Sequence, residues 1–239
     1  MESIVYVNGI LLLITISTVL IILIIMGSHY RKTKQRIFIL IPLSFIGLFE
    51  PWLPHAITFL LLLSTGQTLT LQQHFFIALI YIPIALLLWI IAITEFILKN
   101  YRKIVIIIYI VTGILFEIFF LYFLFSDLSV IGGKGVGLFD IIYYQFVRIY
   151  LFFVIISISL TIILFILQAF KFEDRELKLK GIFLLFSLIL YVVCSIADLA
   201  FSLTIPLLIT IRACLLIAAI TFYFGWFLPE PIKKFFKIS

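Results

Sequence analysis

Seven long apolar runs divide this chain, and they constrain its fold more than any other feature of the sequence. They cover residues of about 4–27, 37–63, 75–98, 104–125, 141–170, 181–203 and 207–228. A helix of roughly 20 apolar residues spans a bilayer core of about 30 Å, and the alternating pattern of an outer-membrane barrel is missing. The sequence therefore predicts an all-α, polytopic membrane protein in which residues 1–239 form a single seven-transmembrane-helix bundle.

The composition excludes an ordinary soluble domain. Hydrophobic residues make up 65% of the 239 residues and charged residues only 12%, with a mean hydropathy of +1.36. The amino-terminal Met-Glu-Ser lacks the basic start of a secretory signal, so we expect the first helix to be retained. Cys194 and Cys214 fall inside predicted helices, where we expect buried thiols rather than a disulfide framework.

The net charge of +6 is distributed in alternate short loops, which does not predict nucleic-acid binding. Lys and Arg follow the first, third, fifth and seventh runs: Arg31, Lys32, Lys34, Arg36, Lys99, Arg102, Lys103, Lys171, Arg175, Lys178, Lys180, Lys233, Lys234 and Lys237. In the other loops, Lys134 is the only Lys or Arg residue. Because short basic loops stay cytoplasmic, we expect the amino terminus outside and the carboxyl terminus inside. This topology predicts a multi-pass protein of the cell membrane, with the lipid bilayer as its immediate partner.

Five ionisable residues inside the runs are predicted to share one depth. At about 1.5 Å per residue, Glu50 and Glu117 lie about 20 Å from the cytoplasmic edge and Asp198 about 26 Å. When residues are counted down from the outer edge instead, Arg148 and Arg212 also lie about 19–22 Å from the cytoplasmic edge. Such charges face the protein interior and often mark function. We interpret this layer as a ligand-binding site and predict a salt bridge between Asp198 and Arg212, although purely structural pairing is the alternative.

The stretch LFEPWLPHAITF, residues 48–59, is predicted to break the second helix at this layer. Pro51 and Pro54 remove backbone donors and should kink the helix. We assign Trp52 to the outer aromatic belt. His55 lies about one turn outward of Glu50, where it either contacts a polar ligand or faces water at the interface. Proline-broken helices commonly mark binding sites in membranes.

Two features of the third helix are expected to be structural. Pro83 should introduce another kink in the outer half. Glu95 lies four residues before Lys99, a spacing that predicts an ion pair on the helix surface.

The longest loop and the tail carry further predictions. The loop SDLSVIGGKGVGLFD lacks the strand and helix of a phosphate-binding loop, so we interpret it as a flexible connector. In the short basic tail, residues 229–239, Pro229 and Pro231 end the helix. The phenylalanines and lysines that follow predict an interfacial segment, with docking of a partner as the alternative.

The end of the seventh run reads YFGWFLPEPIKKFF, residues 223–236. It resembles the close of the seven-transmembrane sensor regions found in prokaryotes, chiefly archaea, that are often fused to histidine kinases. The resemblance implies a bundle that senses a stimulus and passes it to a cytoplasmic kinase module. Since residues 229–239 contain no such module, it implies output through a separate cytoplasmic signalling partner.

Signatures of other seven-helix families are missing from the sequence. Residues 207–228 contain no lysine for a retinal Schiff base and no Asn-Pro-x-x-Tyr motif. The third helix also lacks an Asp-Arg-Tyr end. These absences exclude a rhodopsin of the usual kind and do not support a G-protein-coupled receptor.

Three functions are compatible with the sequence. The favoured one is a receptor-like sensor that binds a small, unknown ligand through Glu50, His55, Glu117, Arg148, Asp198 and Arg212. The alternative is a transporter or channel using the same layer, although no internal repeat is found. Less favoured is a membrane-embedded zinc hydrolase, because the only histidines are His29, His55 and His74. No nucleophile motif or pair of catalytic carboxylates occurs, so we assign no catalytic residue, metal or cofactor.

Overall fold

A computed structural model describes residues 2–135, 141–200 and 204–237 of the chain. The helices described are α1 (Glu2–Thr33), α2 (Ile37–Phe49), α3 (Leu53–Thr65), α4 (Leu71–Leu79), α5 (Ile82–Thr94), α6 (Arg102–Ser126), α7 (Gln145–Ala169), α8 (Arg175–Ala200), α9 (Ile205–Trp226) and α10 (Glu230–Phe235). Two short antiparallel strands, β1 (Gly132–Lys134) and β2 (Ile141–Tyr143), form a hairpin.

Seven helical segments of the described chain are long and apolar enough to cross a membrane, as predicted. The second span consists of α2 and α3, and the third consists of α4 and α5. The other spans are α1, α6, α7, α8 and α9. The edges differ from the predicted ones by a few residues, since α1 continues to Thr33 and α8 begins at Arg175. The predicted end of the sixth span at residue 203 lies outside the described residues.

The ends of the spans form two sides of the bundle. The basic side carries residues 31–36, 99–103, 171–180 and 227–237. An ion pair of 2.8 Å between Lys233 and Glu176 connects the last two of these segments. The hairpin side carries the hairpin and the ends of α3 and α6. There the side-chain amide of Gln72 donates to the Leu124 carbonyl at 3.1 Å.

Small residues bring the spans close together. A Cβ at Gly47 of α2 would lie 2.1 Å from Cβ of Ala85 in α5. The two helices are therefore too close at this position for any residue larger than glycine. The rings of Phe45 in α2 and Phe222 in α9 stack with centroids 4.2 Å apart. The second span is therefore fixed between the third and the seventh.

The glycine-rich loop differs from its predicted form. Residues 141–143, expected to begin the fifth helix, instead form β2, and Gly132–Lys134 forms β1. Gly132 is required there because a Cβ would lie 2.2 Å from the Ile142 carbonyl oxygen. Ile131 and Tyr143 are buried, so the described part of the loop packs onto the bundle rather than serving as a flexible connector. Residues 136–140 of the predicted connector lie outside the described residues.

The predicted pair of Glu95 with Lys99 is wrong. Because α5 ends at Thr94, Glu95 and Lys99 do not lie one turn apart on a helix. Glu95 instead accepts from the Arg102 guanidinium at 2.7 Å, across the turn that leads into α6.

The tail leaves the bundle where it was predicted to do so. The α9 helix ends at Trp226, and Pro229 precedes the short helix α10. Phe235 is largely exposed, whereas Phe236 packs against Phe183 with ring centroids 6.1 Å apart. The hydrogen bond from Lys233 to Glu176 raises the pKa of the lysine, so this contact holds α10 against the start of α8 near neutral pH.

Candidate functional site

The most complete polar contact of the predicted layer joins the last two spans. Nη1 of Arg212 in α9 lies 2.5 Å from Oδ2 of Asp198 in α8, which confirms the predicted salt bridge. Arg212 is only 4% exposed. Removal of either partner would leave the other charge uncompensated in a membrane span, so the pair fixes α8 against α9.

Two residues outside the predicted set complete this ion pair. Nε of Arg212 donates to Oδ1 of Asn8 in α1 at 2.9 Å. The indole N–H of Trp52 donates to Oδ2 of Asp198. The assignment of Trp52 to the outer aromatic belt was wrong, because its indole is buried and satisfies an interior carboxylate. This closed group, Asn8, Trp52, Asp198 and Arg212, connects four spans.

The predicted break in the second span is present. The α2 helix ends at Phe49, and a 3-10 turn over Glu50–Trp52 leads into α3. Because Pro51 has no N–H, the Gly47 carbonyl accepts from the Glu50 N–H instead. The Leu48 carbonyl accepts from the hydroxyl of Tyr191 in α8 at 2.9 Å.

The third span is also broken, and Glu50 links the two breaks. The α4 and α5 helices are separated at Ile80–Tyr81, with Pro83 in the first turn of α5. Oε1 of Glu50 accepts from the Tyr81 backbone N–H at 2.8 Å. Glu50 is 4% exposed, and its other oxygen is buried and makes no hydrogen bond to any residue that the structure describes. One carboxylate oxygen thus caps the start of α5 while the second remains unsatisfied.

Glu117 in α6 lies near this pair of breaks. One turn earlier on the same face, a Cβ at Gly113 would meet the Pro83 ring at 3.4 Å, which places that face against the third span. Glu117 is within electrostatic range of Glu50. Both of its carboxylate oxygens are buried, and neither has a hydrogen-bond partner among the described residues.

His55 and Arg148 occupy different surroundings. The His55 ring packs edge-on against the buried His74 ring with centroids 4.7 Å apart. Nε of Arg148 is buried without a hydrogen bond, and no ion pair of Arg148 occurs among the described residues. Within the described part of the chain, Asp198 pairs with Arg212, Glu50 accepts from the Tyr81 N–H, and His55 packs on His74.

A metal centre is not formed by the residues that the structure describes. Nowhere in residues 2–135, 141–200 and 204–237 do three or more His, Cys, Asp or Glu side chains converge in a way that would hold an ion. The pair of His55 and His74 alone does not provide the ligand set of a zinc hydrolase.

The hairpin adds a polar group that the sequence did not indicate. The Tyr143 ring is 8% exposed and packs on Phe75 with centroids 5.8 Å apart. Its hydroxyl is buried, makes no hydrogen bond to a described residue and lies within electrostatic range of Glu50 and Asp198. Burial, with smaller contributions from these carboxylates, raises the pKa of the Tyr143 hydroxyl, which therefore stays protonated.

Other functional residues missed from the sequence carried weak signals. Asn8 is a polar residue within a long apolar run, and this position could have identified it as a candidate for a buried polar contact. The role of Tyr81 lies in its backbone N–H, which no side-chain pattern can indicate. Tyr143 was assigned to a helix, so its position above the layer was not foreseen.

An apolar cavity lies beside the break in the second span. Its lining comes from the second, fifth, sixth and seventh spans and includes Phe45, Leu48, Ile158, Ser187, Tyr191 and Phe222. Leu48 and Phe49 of this lining directly precede Glu50, so apolar space adjoins the polar layer.

Comparison with known proteins gives no functional assignment, so the interpretation rests on the geometry of the site. Searches of protein-family profiles, of curated proteins and of solved structures returned no match to the chain.

Proposed function

We propose that the protein is a receptor-like membrane sensor that binds a small ligand in an outward-facing polar pocket and signals through a separate cytoplasmic partner. The observation that carries this proposal is the Glu117 carboxylate, whose two oxygens are buried in a membrane span and receive no hydrogen bond from the residues that the structure describes. Buried polar groups are nearly always hydrogen-bonded, and an exception calls for a specific explanation. A ligand that supplies the missing partner is such an explanation.

The contrast with Asp198 supports a ligand site at the acidic residues rather than across the whole layer. Asp198 accepts from both Trp52 and Arg212 and needs nothing more. In the described part of the chain, no group donates to Glu117, and Glu50 accepts through only one of its two oxygens. We therefore assign ligand binding to Glu50 and Glu117, and a structural role to Asp198 and Arg212.

The broken helices offer a means of transmitting the binding event. Glu50 connects the break of the second span to the start of α5. A ligand that binds to Glu50 would shift the equilibrium between two conformations of these breaks, provided that its affinity for the two conformations differs.

The charge pattern and the tail support the proposed direction of the signal. Short basic loops favour the cytoplasm for the basic side and therefore the exterior for the hairpin side of the cell membrane. A partner would meet α10, which Lys233 attaches to Glu176 in the sixth span. The resemblance of residues 223–236 to prokaryotic, chiefly archaeal, sensor regions agrees with this direction.

Ligand screening combined with hydrogen exchange tests the proposal. The detergent-purified protein is heated with a library of small acids, amines and lipids, and a stabilising compound is then tested for its effect on amide exchange. We expect saturable stabilisation together with altered exchange in residues 47–53 and 77–83 and in α10. If no compound raises the melting temperature, the sensor proposal is rejected.

Transport is a second candidate because of the contact between His55 and His74. Two imidazole rings 4.7 Å apart, in the spans that also carry Glu50 and its partner Tyr81, resemble part of a proton or ion pathway. Measurement of flux into liposomes containing the protein separates the two functions. Flux that His74→Phe abolishes would favour transport, whereas binding without flux would favour the sensor.

A further inference from the structure

We propose that α10 and the start of α8 form a binding surface for anionic phospholipids, in which Phe235 enters the acyl-chain region and Lys234 stays among the headgroups. The proposal does not depend on the sensor function. It adds a lipid class and named residues to the sequence-based prediction of an interfacial tail, and it gives the basic side a binding role beyond orientation in the membrane.

The linker before α10 holds the tail against the bundle. Three residues separate the end of α9 at Trp226 from the start of α10 at Glu230. Within this linker, Leu228 is buried, and Phe227 packs on His29 with ring centroids 4.5 Å apart. The linker therefore folds back onto the bundle, and α10 begins close to the end of the seventh span.

A second set of contacts attaches α10 to the sixth span. Nζ of Lys233 lies 2.8 Å from Oε2 of Glu176, and the Phe236 ring packs on Phe183 with centroids 6.1 Å apart. Glu176 lies in the first turn of α8, where the sixth span begins. These contacts place α10 at the edge of the membrane-spanning region, which is the level of the lipid headgroups.

The side of α10 that does not contact α8 combines a cation with an apolar ring. Phe235 is 78% exposed, and its neighbour Lys234 is exposed as well. At the level of the headgroups, a phenylalanine ring leaves water by entering the acyl-chain region, whereas a lysine beside it stays among the headgroups. This combination is typical of an interfacial segment that binds lipid.

Positive charge remains on this surface after its ion pairs have formed. Residues 171–180 and 227–237 contain seven Lys and Arg residues but only four Asp and Glu residues. Both oxygens of Glu176 are already paired, with Lys180 at 2.7 Å and Lys233 at 2.8 Å. The cations of these segments that form no ion pair with a described residue are Lys171, Arg175, Lys178, Lys234 and Lys237. The surface therefore attracts anions.

An anionic phospholipid matches both the charge and the exposed ring. A free phosphate or carboxylate ion would neutralise the lysines but would leave the Phe235 ring in water. A phospholipid provides a phosphate at the level of the headgroups and acyl chains beneath it. Short basic loops also favour the cytoplasm, and the cytoplasmic leaflet carries the anionic lipids.

Hydrogen exchange in nanodiscs tests the proposal on the full-length protein. One disc contains phosphatidylcholine alone, and the other contains an equal mixture of phosphatidylcholine and phosphatidylglycerol. We expect the amides of residues 232–237 to exchange more slowly in the mixed disc, and inorganic phosphate added to the phosphatidylcholine disc to have no such effect. Equal exchange in the two discs, or an equal effect of inorganic phosphate, would overturn the proposal.

Variants locate the lipid contact. Each lysine near an anionic membrane surface strengthens association about fivefold, so Lys234→Gln combined with Lys237→Gln should remove most of the difference between the two discs. The attachment of α10 through Lys233 is left in place. Phe235→Ser should speed exchange in both discs, because the apolar anchor is lost. Lys134→Gln is the matched control, since it removes the same charge on the hairpin side, and it should respond like the wild type.

The outcomes are distinct from those of the ligand screen. A lipid effect confined to residues 230–237 belongs to this surface, whereas the sensor proposal also requires altered exchange in residues 47–53 and 77–83. If the double lysine variant keeps the full difference between the discs, or if Lys134→Gln loses it, the lipid does not bind at α10 and the proposal is wrong. If lipid charge has no effect and the tail is protected only after a soluble cytoplasmic fraction is added, α10 docks a protein rather than a lipid.

Discussion

Asp198 and Glu117 are both carboxylates within membrane spans, but their surroundings differ. Asp198 receives hydrogen bonds from Trp52 and Arg212, whereas the described residues offer none to Glu117. A buried charge with its partners in place is a structural component, and its loss is costly. A buried polar group without partners is a candidate for binding. At the scale of single residues, the hydrogen-bond partners distinguish these roles, and depth in the membrane does not.

Substitution at the ion pair should show its structural role. In Arg212→Ala, Asp198 keeps its charge and loses its cation, so we expect the free energy of unfolding to fall by about 3–5 kcal/mol. The double variant Asp198→Leu with Arg212→Leu removes both charges and should recover part of this loss; the remainder is about 1–3 kcal/mol each for the Asn8 amide and the Trp52 N–H, which both lose their partners. Unfolding in mixed detergent and SDS micelles measures both. Equal losses in the single and double variants would contradict a structural ion pair.

Glu50 has a structural role that can be separated from its charge. Glu50→Gln retains a side-chain oxygen that accepts from the Tyr81 N–H, whereas Glu50→Leu leaves that N–H unsatisfied. We expect Glu50→Leu to be less stable than Glu50→Gln by about 1–3 kcal/mol in the same unfolding assay. If the two variants have equal stability, Glu50 does not cap α5.

At the scale of elements, proline positions predicted the helix breaks correctly. Pro51 and Pro83 each lack an N–H, and the second and third spans are interrupted near them, whereas Pro42 lies inside α2 without a break. Side-chain partners were less predictable, because they depend on how the spans rotate against each other. Trp52 was assigned to the membrane interface for this reason. The hairpin was missed because residues 141–143, Ile-Ile-Tyr, continue an apolar run and suit a strand as well as a helix.

The close approach of α2 and α5 predicts a specific sensitivity at Gly47. In Gly47→Ala, the added methyl group would overlap Cβ of Ala85, so we expect a destabilisation of about 1–3 kcal/mol. Ala85→Gly in the same chain should restore stability by removing the opposing methyl group. Gly27→Ala in α1 is the matched control, since a Cβ there meets nothing within 4 Å. A destabilised Gly27→Ala, or a rescue failure with Ala85→Gly, would show that helix contact is not the cause.

At the scale of the whole molecule, the number of spans followed from the sequence because hydrophobic length is a local property. The seven runs were found without knowledge of any contact. The proposed site could not be derived in the same way. Glu50 and Tyr81 meet only after the second and third spans have packed together, and their spacing in sequence contains no record of that arrangement.

The orientation in the membrane is the last property that the charge pattern predicts, and two glutamines provide a matched test. Gln67 follows α3 on the hairpin side, and Gln35 follows α1 on the basic side. Both are exposed, and each backbone N–H donates to the hydroxyl of the threonine two residues earlier. In intact cells, a membrane-impermeant maleimide should label Gln67→Cys at once and Gln35→Cys only after the membrane is permeabilised. The unsubstituted chain, with Cys194 buried and Cys214 partly buried, sets the background. The reverse pattern would place the basic side outside, and the acidic site would then open toward the cytoplasm.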